Sequence, residues 1–190
     1  MRLVISIFLI FIFVSDAIAD EFRLPDEKMC FAEKPKASFA LFRSYMAAIK
    51  NSAGTKIFKN LYYNEIDGRV IDVLQNGNLS CAYYVTSILY HFKLIDEMRL
   101  GVAETAEAMK RAGWKIIEKP VPGSVIVWEE KFFKSSGKSH MHIGFYLGKG
   151  KAMSNSSKGK SPLIHFWRYN LEPRNYRKIK EILWHDKLNE

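Results

Sequence analysis

The chain has 190 residues, 48% of them hydrophobic, a formal net charge of +9 and two cysteines. That length fits one domain with a sizeable core, and no internal repeat or low-complexity tract argues for more. The positive charge draws the protein to anionic polymers, acidic peptides or lipid head groups, or does no more than keep it soluble.

Residues 1–19 read "MRLVISIFLIFIFVSDAIA": one early positive charge, an apolar run, then Ala17 and Ala19. This is the pattern of a secretory signal peptide cleaved before Asp20. The apolar run is shorter than the roughly 20 residues of a membrane span, so no stable transmembrane segment is expected after cleavage. The expected location is secreted, periplasmic or at the cell surface, where a basic protein meets wall polymers rather than nucleic acid. Export also leaves open a disulfide between Cys30 and Cys81.

Residues 20–36, with Pro25 and Pro35, read as an extended lead-in, and residues 37–190 as a single domain. "SFALFRSYMAAIKN" spaces Phe39, Phe42, Met46 and Ile49 for an amphipathic helix, with Ser38 as its N-cap. Residues 51–78, broken by Gly54, Gly68 and Gly77, read as loops with short extended pieces. In "LSCAYYVTSILYHFKLI", the residues Cys81, Tyr84, Val85, Ile88, Leu89 and Phe92 form a helical apolar stripe with Cys81 in the first turn. "VAETAEAMKRAGW" predicts another helix, stopped at Gly113.

After "PVPG" the pattern turns extended. Residues 125–128 are continuously apolar, and residues 141–147 alternate, with His142, Gly144 and Tyr146 on one face. Further short strands are expected near residues 151–154, 163–168 and 179–184. Helices first and an antiparallel sheet after give an α+β class.

A cysteine does hydrolytic chemistry as a thiolate, and its pKa of about 8.5 falls at a helix N-terminus beside a histidine. Cys81 meets the first condition and His142 is the candidate for the second. A third polar group would fix the imidazole tautomer.

The segments "LSCAYYVTSILY", "PGSVIVW", "HIGFYLGKGK" and "AMSNSS" resemble, in order and spacing, the NlpC family of papain-like cysteine peptidases that cut bacterial cell-wall peptides. The resemblance covers about residues 78–167. It departs from the family pattern at Ser80-Cys81-Ala82-Tyr83 and at Ser124, where Asp-Cys-Ser-Gly and an Asp are usual. It implies a papain-like fold with the catalytic cysteine heading a helix packed on the sheet, a triad built on Cys81 and His142, peptidoglycan peptide as substrate, no cofactor or metal, and a monomer. Cys81 attacks an amide carbonyl, His142 protonates the leaving amine, and the backbone N–H of Cys81 is the oxyanion donor.

The third residue depends on hairpin register. A two-residue loop at Lys149-Gly150 sets Asn155 opposite Gly144, whereas a three-residue loop sets Ser154 there. Asn155 is favoured because an amide oxygen orients an imidazole well. Alternatives stand beside this reading. Cys81 is an inert or bridged thiol, or joins His140 and His142 in a zinc site. The domain binds wall material without turnover, or processes other amides as an acyltransferase. His91, His165 and His185 read as ordinary histidines, and the four tryptophans as core.

Overall fold

Helix α1 (Leu41–Asn51) buries Tyr45, Met46 and Ile49 along one face and carries Lys50 in its last turn, where a cation suits the helix dipole. Its N-cap is Ala40 rather than Ser38, and no side chain caps it. The computed structural model describes residues 37–133, 137–169 and 176–189. The chain divides into two compact units, Met1–Phe39 and Ala40–Glu190. The predicted leader and lead-in, and Cys30 with them, lie outside the described residues.

The stretch read as loops contains a small hairpin, β1 (Tyr62–Asn64) paired antiparallel with β2 (Val70–Asp72). Asp72 organises it by accepting from Asn60 Nδ2 and from the backbone N–H groups of Leu61, Leu74 and Asn76. Helix α2 (Cys81–His91) is buried almost all round, at Ala82, Tyr84, Val85, Thr86, Ile88 and Leu89. It packs on the sheet with α1 and α3 (Val102–Arg111) beside it, which explains why its apolar stripe is so broad. Gly113 follows α3 at φ +98, the left-handed position that favours glycine.

The rest is a six-stranded antiparallel sheet of β3 (Lys115–Ile116), β4 (Val125–Phe133), β5 (Lys138–Gly148), β6 (Lys151–Ser156), β7 (Ser161–Phe166) and β8 (Ile179–Trp184), in the order β3-β8-β4-β5-β6-β7. Val125, Val127, Ile143, Phe145 and Met153 face the helices in the main core. Phe145 packs edge-on between Tyr45 and Tyr84, at centroid distances of 5.8 and 5.4 Å. The buried hydroxyls find partners: Tyr45 donates to Gly123 O, and the Tyr84 hydroxyl shares a bond with Ser52 Oγ. The opposite face holds a second cluster of Ile126, Trp128 and Ala152, flanked by Tyr146, Trp167, Tyr169 and Ile179.

One irregularity sets the site. Lys149 and Gly150 both adopt positive φ and make the two-residue turn. Yet the register passes from Gly148↔Lys151 to Tyr146↔Ala152, so Leu147 is an extra residue in β5, followed by Gly148 at φ +91. The bulge moves every later pair by one. Phe145 faces Met153, and Ser154, not Asn155, lies beside Gly144.

Candidate active site

Cys81 opens α2, and the Ser80 N-cap makes no side-chain bond to the helix. With no acidic residue in the first turn, no carboxylate offsets the positive end of the helix dipole there. Cys81 is a free thiol, partly accessible but densely surrounded. The backbone N–H groups of Ala82 and of Ile143, the residue after His142, act on its sulfur and favour the thiolate. Ile143 lies just past the last pair between β5 and β6, Phe145↔Met153.

His142 stands on the other sheet face, its ring 5.4 Å from that of Trp128. Its Nε2 is 2.7 Å from Ser154 Oγ. The same hydroxyl lies 2.8 Å from His165 Nε2 and 3.2 Å from the Tyr169 hydroxyl. His165 Nδ1 faces Phe166 O at 2.9 Å, and its ring stacks on Tyr169 at 4.1 Å. Arg177, almost fully buried, donates to His140 O and adds a positive charge that acts on Cys81, His142 and Tyr169.

Asn155, the residue expected to orient the imidazole, is therefore corrected in position. Its Nδ2 donates to Gly77 O at 2.9 Å, and its Oδ1 is buried without a partner among the described residues. It ties β6 to the loop ahead of α2, while Ser154 faces the imidazole. The bulge at Leu147 is the physical reason.

Burial pushes the Cys81 thiol up, against the lowering by N–H groups and Arg177. A helix end and an imidazole alone would lower the thiol; burial outweighs them. Burial, Arg177 and His165 hold His142 well below the usual imidazole range, and burial likewise lowers His165. The resting pair is thus a neutral thiol and a neutral imidazole. No group of three His, Cys, Asp or Glu side chains among the described residues is placed to share a metal ion. No helix among them is long and apolar enough to cross a membrane.

His165, Tyr169 and Arg177 are missed by sequence reasoning. His165 had a faint signal, as the one titratable residue in an otherwise apolar strand; Tyr169 and Arg177, in irregular segments, had none. Tyr62 and Tyr63 are exposed on β1. Two grooves of about 510 and 540 Å³ meet at Pro122 and Leu147, and neither is lined by Cys81 or His142.

No protein-family profile and no curated protein matches the chain. Among solved structures, NlpC2 from Trichomonas vaginalis is similar at 16% identity and a TM-score of 0.43, over 78% of this chain and 47% of that one. The chain thus spans about half the length of the structure it matches. At that distance the likeness concerns the course of the chain and says nothing of activity.

Proposed function

We propose that the chain is a papain-like cysteine hydrolase of the NlpC type, exported and acting on amide bonds in cell-wall peptides. The observation that carries the reading is a free cysteine at an uncapped helix N-terminus, within the influence of the Ile143 N–H, next in sequence to a histidine that is itself held through Nε2. With Nε2–H donating to Ser154, Nδ1 keeps its lone pair and is the base.

As the sulfur attacks the carbonyl carbon, Nδ1 takes the thiol proton and an S–C bond forms. The carbonyl π electrons move to oxygen, and the N–H of Cys81 stabilises that oxyanion. The C–N bond then breaks, its electrons leaving with the amine, which receives the proton from His142. Water attacks the thioester, giving its proton to Nδ1; the sulfur leaves and recovers that proton. No ion pair need exist at rest, which suits a raised thiol and a lowered imidazole.

The +9 charge and Lys149, Lys151, Lys158 and Lys160 near the hairpin favour anionic wall polymer as the surroundings of the substrate. Incubation of the protein with purified peptidoglycan should release free amino groups, and Cys81→Ala should abolish the release. The densely surrounded thiol, and its absence from the two grooves, favour a second reading: a scaffold that binds wall material without turnover. Binding of the wild type with no amine release would establish that reading instead.

A further inference from the structure

Ser154 has one proton to donate and two lone pairs to accept with, and three partners surround it. The bonds can be assigned one by one. His165 Nδ1 faces a carbonyl oxygen, Phe166 O, so Nδ1 carries the proton and Nε2 is an acceptor. The 2.8 Å contact from Ser154 Oγ to that Nε2 needs a proton between them, since two lone pairs at that distance repel. Tyr169 lies 3.2 Å from both atoms and is the weaker donor to Nε2. The Ser154 proton therefore points to His165. The hydroxyl is left to accept from His142 Nε2–H and from the Tyr169 O–H, and all its capacity is used.

Had Ser154 stood alone, its rotor would serve His142 as donor or acceptor equally, and the imidazole would have no fixed tautomer. His165 removes that freedom. Tyr169 fixes His165 in turn, stacked on its ring and held at φ +53, a backbone conformation that a non-glycine residue seldom adopts. Trp128 closes the cluster, with centroids 5.6 Å from His165 and 5.5 Å from Tyr169.

We propose that His165 is a positioning residue which, through the Ser154 hydroxyl, holds His142 as the Nε2–H tautomer with its Nδ1 lone pair available as base. The proposal rests on the hydrolase reading for its catalytic meaning. The tautomer itself is independent of that reading.

The test is two-bond ¹⁵N–¹H spectroscopy of the histidine-labelled full chain, beside steady-state kinetics on wall peptide. In the wild type, His142 should be the Nε2–H tautomer and His165 the Nδ1–H tautomer; either one reversed overturns the proposal without any variant. His165→Phe, which keeps the ring and loses the acceptor, should give His142 mixed tautomers and lower kcat roughly ten- to hundred-fold with KM unchanged. His165→Gln, whose side-chain oxygen accepts the Ser154 proton, should restore the single tautomer and most of kcat. A folded His165→Phe with the wild-type His142 tautomer and kcat overturns the proposal. If His165→Phe does not fold, loss of the single tautomer in His165→Gln does so. A wild type with the expected tautomers and no hydrolysis defeats the hydrolase reading and leaves His165 in place.

Discussion

At the scale of single residues, two neighbours on β6 have opposite duties. Ser154 turns to the imidazole and Asn155 to Gly77 O, so the same chemistry, a polar side chain on a strand, serves the site in one case and the fold in the other. Asn155→Ala should destabilise the protein by about 1–3 kcal/mol, because it strips a buried carbonyl of its partner, as urea unfolding would measure. An Asn155→Ala protein of unchanged stability would contradict this assignment. The cysteine makes its own prediction. Since burial raises its pKa from 9.0, iodoacetamide alkylation of the folded chain should keep accelerating beyond pH 9 and be slower at pH 7 than in urea. A rate that levels off below pH 8 would instead reveal a pre-formed thiolate–imidazolium pair.

At the scale of elements, the hairpin of β5 and β6 converts a small backbone irregularity into a choice of side chain. Gly144 lets the two strands come together there: a Cβ at this position would sit 2.5 Å from Met153 O and 2.7 Å from Ser154 Cβ. Gly144→Ala should push β6 away, lengthen the His142–Ser154 bond and remove most activity on wall peptide. Full amine release by this variant would show that the close approach is dispensable. Most of the sheet was legible from residue patterns, since a continuous apolar run at residues 125–128 marks β4, which is buried on both faces there, and period-2 alternation marks β5. The bulge was not, because alternation tells which face a residue takes only until a residue is added. Gly148, ahead of an already complete turn, was its only sign. The places of Cys81 at the head of α2 and of His142 on β5 were readable because each lies on a strongly patterned element. His165 escaped because its importance comes from a hydroxyl on the neighbouring strand β6, at Ser154, which the pattern of β7 itself does not reveal.

At the scale of the molecule, the neutral histidines couple folding to acidity. An unfolded chain binds protons at its histidines as pH falls through about 6.5, whereas His142 and His165 in the folded chain resist protonation to lower pH. The unfolded state then holds more protons, so stability declines as pH falls below about 6.5, by about 1.4 kcal/mol per pH unit for each such histidine. Carboxylates such as Asp72, lowered from 3.8, add to the loss only at still lower pH. Urea midpoints at pH 7 and pH 5.5 would measure the slope; a flat profile would mean that the imidazoles are protonated in the fold. β8, the last strand in sequence among the described residues, slots between β3 and β4, and just ahead of it Arg177 places its charge where it acts on the thiol. Residues up to Ser156 supply Cys81, His142 and Ser154, whereas His165, Tyr169 and the buried Arg177 come from later segments. The surroundings of Cys81 and His142 therefore draw on strands from both halves of the sheet, so a disturbance at β7 or β8 reaches the thiol and the imidazole without touching either residue.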